Sequence, residues 1–295
     1  MKQAYPRIAL VRLCQLFGVT RQAYYQYQWS QADTSTEAII ILDLVKNTRR
    51  EQPKIGTRKL LILLEEDLLR HQIKIGRDAL FDLLASEGML VRRRKRSPHT
   101  TFSNHWLRKY DNLIVGFEPY SAHQLWVCDI TYIHVGEGFA YLSLITDAYS
   151  HKIVGYHISS NLSAYGSVSA LRMAILQLPA NHKLIHHSDR GIQYCSHEYV
   201  KVLKENEIHI SMTQSGSPYE NAMAERVNGI LKGEFLKDRY LDFHQVEDEI
   251  SEYIKIYNEK RPHMSCGFLT PEQAHAKTGA LNKIWKKPRE EVGRR

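Results

Sequence analysis

Three carboxylates in this 295-residue chain have the setting that phosphodiester chemistry needs. Asp129 lies inside LWVCDITYI, an apolar run that reads as a buried strand. Asp189 ends a second such run, in LIHHSDRGIQY, and Glu225 falls in SPYENAMAERVNGILKGE, which reads as a helix. The interval between Asp189 and Glu225 holds 35 residues. A carboxylate inside an apolar strand is unfavourable by several kcal/mol unless something compensates its charge. Its neighbours Cys128 and Ile130 point to the opposite face, so a divalent cation is the simplest partner. Two such ions held by Asp129, Asp189 and Glu225 can clamp the attacking and leaving oxygens of a phosphodiester. The expected chemistry is metal-dependent strand cleavage and transfer in DNA.

Around these acids the pattern assigns further roles. Ser217-Pro218-Tyr219-Glu220 reads as a capping box with proline at the first helical position. Asn221, Glu225, Asn228 and Lys232 recur at helical spacing as one polar stripe, and Met223, Val227, Ile230 and Leu231 line an apolar face. Glu225 then faces the metals, and Lys232 meets a phosphate on the same side. Asp147 also lies near a strand end, but in TDAYSHKIVGY it is expected to order a turn. A zinc set of His182, His186, His187 and Asp189 is the weaker alternative, because adjacent strand residues His186 and His187 point apart.

The elements that must position these residues fall into two kinds. Residues 1–120 hold 20 Lys and Arg against 12 Asp and Glu, whereas the rest of the chain is balanced at 20 of each. The whole +8 therefore sits in the first part, which points to a polyanionic partner, most simply nucleic acid, with double-stranded DNA the expected form once the motifs are added. Residues 8–28 read as a helix-turn-helix, with Gly18 as a left-handed cap and Thr20 as the next N-cap. Its second helix offers Arg21 and Gln22 to DNA, with Tyr25 and Gln26. More helices are expected at 37–48, 57–70 and 76–90, the last ended by Gly88. Arg92, Arg93, Arg94, Lys95 and Arg96 form a phosphate-seeking run, and 97–120 reads as a linker. From Leu125, three β-type runs and then alternating helices and strands describe a mixed α/β sheet covered by helices. The expected division is 1–30, 31–96, 97–120, a catalytic core at 121–240 and a helical tail at 241–295. Four scattered cysteines suit a reducing cytoplasm, and no apolar stretch reaches the roughly 18 residues of a membrane span.

WVCDITYI, HHSDRGIQY, GSPYENAMAERVNGILKGE and YNEKRPHMSCGFLTPEQ together resemble the DDE transposases with a retroviral-integrase-like core. The resemblance is to the second-reading-frame (OrfB) proteins of the bacterial insertion-sequence family numbered three, and it covers nearly the whole chain. It implies an RNase H-like fold, a Mg²⁺- or Mn²⁺-dependent reaction, and Asp129, Asp189 and Glu225 as the catalytic triad. It implies that Lys232 contacts element-end DNA, and that a freed 3′-OH attacks a second phosphodiester. It also implies work as a homo-oligomer, and an upstream-frame (OrfA) partner or fusion for end recognition. Cys128, Glu220 and Arg226 depart from the common threonine, aspartate and serine without removing a carboxylate. The rival readings are a DNA-binding regulator without catalysis, which metal-independent binding would support, and a nuclease that cuts without joining.

Overall fold

The computed structural model describes residues 8–91, 105–214 and 221–284. It forms two compact units, one from residues up to 50 with 56–90, the other from 51–55 with the residues from 91 onward.

In the helical unit, α1 (Leu10–Leu16) ends at Gly18, whose φ of 64° suits a residue without a Cβ. Thr20 Oγ1 then accepts the Ala23 N–H at 3.0 Å and opens α2 (Arg21–Glu51). The break expected between 28 and 37 is absent: α2 is one helix of 31 residues. The stretch holds no Gly or Pro, so its polar residues do not stop a helix that tertiary packing favours. The helix expected at 57–70 is instead two, α3 (Thr57–Leu63) and α4 (Glu65–Arg70), hinged at Leu64. After α5 (Arg77–Ser86), Gly88 turns the chain so that the Met89 N–H reaches the Leu84 carbonyl at 2.7 Å. Ile41, Val45, Leu60, Leu64, Leu80 and Leu84 are buried. Arg49 Nη1 donates to the Met89 carbonyl at 2.7 Å.

The second unit is built on five strands: β1 (Leu125–Val135), β2 (Gly138–Asp147), β3 (Ile153–Ser159), β4 (Ile185–Ser188) and β5 (His209–Met212). Their order is β3-β2-β1-β4-β5. The first three are antiparallel; β4 lies parallel to β1, and β5 parallel to β4. This is the RNase H-like mixed sheet that the motifs implied. Parallel neighbours need crossovers, which α6 (Ala164–Ile175), α7 (Ile192–Cys195) and α8 (His197–Glu205) supply.

Strand alternation divides the core in two. Trp126 and Cys128 of β1 pack with Val168, Leu171 and Ala174 of α6 and with Tyr199 and Leu203 of α8. On the opposite face, Ile133 and Leu142 pack with Val227 of α9 (Ala222–Ile230) and Leu231 of the π-helical turn Leu231–Phe235. Val246, Ile250, Ile254 and Tyr257 of α10 (Phe243–Glu259) belong to that same cluster. Asn258 exchanges two 2.9 Å hydrogen bonds with the backbone of Ile153, as a strand residue would. So α10 is a wall of the core, not a tail beyond residue 240. A short 3₁₀ turn, Met264–Cys266, leads to α11 (Pro271–His275), which a Thr270/Gln273 capping box opens.

The expected linker also turns out to be structural over 105–120. Leu107 and Tyr110 pack on the α6/α8 side, and Ile114 packs with Leu125 and Val127. The Leu113 N–H donates to Ser211 Oγ at 2.9 Å, and the Met212 N–H to the Asp111 carbonyl at 3.2 Å, so this segment covers the edge strand β5.

Candidate active site

β1 and β4 run in parallel with Val127 beside His187. Two residues further along that register, Asp129 comes beside Asp189, on the same face of the sheet. Asp189 stands just past the carboxyl end of β4, where open sheets place their sites. The Gly191 N–H donates to Asp189 Oδ1 at 2.9 Å. At Asp129, Oδ1 accepts the Ile130 N–H at 3.0 Å and Oδ2 accepts Asn228 Nδ2 at 2.7 Å. The direction of both oxygens is thereby set. Glu225 comes from the first turn of α9, on the helix that carries Asn228.

The electrostatics fit a cation site. Burial first, then the Asp189 charge, push the Asp129 carboxyl up to about 7; the bonds from Asn228 and Ile130 oppose this, and Glu225 adds to it. An all-oxygen donor set under mutual repulsion suits a hard divalent ion. Among the described residues, however, no three His, Cys, Asp or Glu side chains lie close enough to hold one ion. The acids form a repelling cluster rather than a closed cage.

Other expected residues are placed as follows. Asn221 and Asn228, read as DNA contacts, are buried. Asn221 is the N-cap of α9 and donates to the Cys128 carbonyl at 3.0 Å, and Asn228 donates to Asp129. Both amides therefore brace β1 instead of facing a ligand surface. Helical spacing gave their common side but could not show that this side meets a strand. Lys232 is half-buried in the π-helical turn. Arg21 and Gln22 are exposed at the start of α2. Arg92, Arg93, Arg94, Lys95 and Arg96 lie outside the described residues, as does the Ser217–Glu220 box.

The two adjacent histidines are core residues. His186 Nε2 pairs with Tyr199 Oη at 2.9 Å, and His187 Nδ1 with Ser211 Oγ at 2.9 Å, on opposite faces. Asp147 orders the β2–β3 turn as its sequence context implied: Oδ1 accepts the Ser150 N–H at 2.9 Å and the Ser150 hydroxyl at 2.8 Å.

Sequence reasoning missed one buried ion pair. Arg261 donates through Nε and Nη2, each at 2.7 Å, to the two oxygens of Glu234 in the π-helical turn. Arg-Pro-His after an amphipathic helix was visible as a motif, but nothing in the spacing named its partner.

This chain is similar in sequence to known proteins over most of its length. Two family models, both described as "Integrase core domain", match residues 119–218 and 206–271. The insertion element IS600 uncharacterized 31 kDa protein of Shigella sonnei is 34% identical over 265 residues, 88% of this chain and 96% of that protein. Transposase InsF for insertion sequence IS3A of Escherichia coli K12 is 31% identical over 193 residues, 64% of this chain and 67% of that one. The magnesium complex of the HTLV-2 integrase catalytic core domain is 18% identical with a TM-score of 0.43, covering 54% of this chain and 99% of that one.

Proposed function

Because this chain belongs to the IS3-type DDE transposases, with their integrase core, we propose that it cuts DNA at the ends of an insertion sequence and joins the freed 3′-OH to target DNA. The observation that carries the reading is the acid cluster, in which burial and the Asp189 charge lift Asp129 to about 7. Asp129, Asp189 and Glu225 are the residues that would hold Mg²⁺ or Mn²⁺. Two ions, when bound, supply the positive charge that clamps the attacking and leaving oxygens of the phosphodiester.

The chain's own residues do the rest. Asn228 and the Ile130 N–H aim the two oxygens of Asp129, and the Gly191 N–H aims Asp189. Fixing those directions before DNA arrives lowers the reorganisation that the reaction requires. Lys232, Arg21 and the Arg92–Arg96 run neutralise backbone phosphates on double-stranded DNA, and Gln22 hydrogen-bonds to it. The protein acts as a homo-oligomer on DNA in the bacterial cytoplasm, with an upstream-frame partner for end recognition. No helix among the described residues is long and apolar enough to cross a membrane.

The test is a cleavage and joining assay on oligonucleotides carrying the element's ends, with Mg²⁺ or with chelator. Wild type should give nicked and joined products with metal, and Glu225→Gln should give neither. Products made in chelator, or by Glu225→Gln at the wild-type rate, would sink the assignment. Nicking without joining would reduce it to a nuclease.

A further inference from the structure

The segment 105–110, His-Trp-Leu-Arg-Lys-Tyr, begins against Arg190, the residue after the second aspartate. His105 Nε2 lies 2.7 Å from the carbonyl oxygen of Arg190, the residue that follows Asp189. A carbonyl only accepts, so that nitrogen carries the proton. Two residues on, Leu107 packs against the core around Trp126 and Tyr194, and Tyr110 does the same. The backbone is thus pinned on both sides of Trp106, whose side chain points out. Trp106 is 91% exposed, the highest value among the large hydrophobic residues described.

Holding an indole in water forgoes the burial that a ring of this size normally gains. Its surroundings indicate what covers it. Arg108 and Lys109 are exposed beside it, and the Arg108 guanidinium stands 5.2 Å from the Tyr110 ring centroid. Where the segment meets Arg190, Arg190 Nε and His105 Nδ1 are buried with no hydrogen-bond partner among the described residues. A protein partner docking through an apolar face would want apolar neighbours, and 105–110 exposes none besides the indole. A flat ring among cations, on a segment that touches the residue after Asp189, matches a nucleobase with its phosphates. Bases in a duplex hide their flat faces from such a ring, so the base must be unpaired.

We propose that Trp106 stacks on an unpaired base in the DNA strand flanking the scissile phosphate, with Arg108 and Lys109 on the adjoining phosphates. This inference rests on the DNA-cutting role proposed above. It makes Trp106 a positioning residue for the strand to be cut.

The experiment measures binding, without divalent metal, to three duplexes with the element's terminal sequence. In one the flank is paired; in the second it is unpaired by mismatches; in the third the unpaired positions are abasic. Wild type should prefer the unpaired over the paired flank by roughly tenfold, the size that one base–aromatic stack gives, and abasic positions should erase the preference. Trp106→Ala should lose the preference while keeping wild-type melting and paired-flank binding; Trp106→Phe should keep most of it. A Trp106→Ala protein that still prefers the unpaired flank overturns the proposal. So does a wild type with no such preference. Nicking by wild type in Mg²⁺ is read separately. Nicking without base preference removes the stacking and leaves the transposase, whereas base preference without nicking does the reverse.

Discussion

Replacing Arg261 by alanine should cost about 3 kcal/mol of stability, although the residue lies outside the catalytic acids. The Arg261 side chain is 3% exposed, and that of Glu234 is 18% exposed. Their fork-to-fork pairing uses two 2.7 Å bonds, and the guanidinium carbon lies 5.8 Å from the Tyr257 ring centroid. Removing one partner of a buried pair typically costs about 3–5 kcal/mol, because the remaining charge loses its compensation. Water still reaches part of Glu234, which favours the lower end of that range. At about 2–4 °C per kcal/mol for a unit of this size, melting should fall by roughly 6–12 °C. Arg261→Lys keeps the charge but loses the fork, so it should fall in between. The double variant Arg261→Met/Glu234→Met should recover most of the loss, since apolar replacement of a whole buried pair is often neutral. Thermal melting and urea titration of the four proteins measure this. A loss below about 1 kcal/mol for Arg261→Ala, or a double variant no better than the single one, would refute the reasoning. Because Glu234 lies in the turn that carries Lys232, the single variant should also weaken DNA binding at temperatures where it remains folded.

Three further outcomes are expected. Burial and Asp189 raise the folded Asp129 carboxyl to about 7 from an ordinary 3.8, so the stability it contributes is full below about 4 and is lost as pH rises through 7. In EDTA at pH 8, Asp129→Asn should therefore be more stable than wild type by roughly 2–4 kcal/mol, the upper figure being the whole shift from 3.8 to about 7 at about 1.4 kcal/mol per unit. Asn228 can flip its amide to keep that hydrogen bond. Mg²⁺ should raise the melting temperature of wild type only, and a variant that melts lower than wild type in EDTA contradicts this. Burial lowers His151 to about 4 and His186 to about 3, so their stabilising neutral forms are secure above 6.5 and lost on acidification through those values. In the Asp129→Asn background, which removes the opposing contribution of that carboxyl, urea midpoints should fall from pH 7 to pH 4.5, less steeply when His151→Asn is added, which tolerates the φ of 63° there; parallel slopes would exclude His151 as a contributor. Finally, a Cβ at Gly155 would lie 2.2 Å from the Ala170 carbonyl and 2.9 Å from the Ala174 Cβ, so Gly155→Ala must push α6 off β3. A loss near 3 kcal/mol is expected in urea titration, and an unchanged midpoint would show that helix and sheet are not so closely packed.

Local chemistry was enough to read much of this protein. Gly18 and Thr20 announce the break between α1 and α2, because a left-handed turn and an N-cap are properties of single residues. Alternation in LWVCDITYI put Asp129 on the face opposite Cys128, and the motifs named Asp189 and Glu225 beside it. The length of α2 was not legible, since polar residues between 28 and 37 weaken a helix without ending one. Segments read as linker and tail became walls of the core, through Leu107, Tyr110 and the apolar face of α10. Tertiary structure alone decided that Asn228 reaches Asp129 across 99 residues of chain, and that Arg261 meets Glu234 across 27. Periodicity says which side chains share a face. What that face meets depends on how distant elements pack, and the energy of a buried polar group is settled there, by whichever partner it finds.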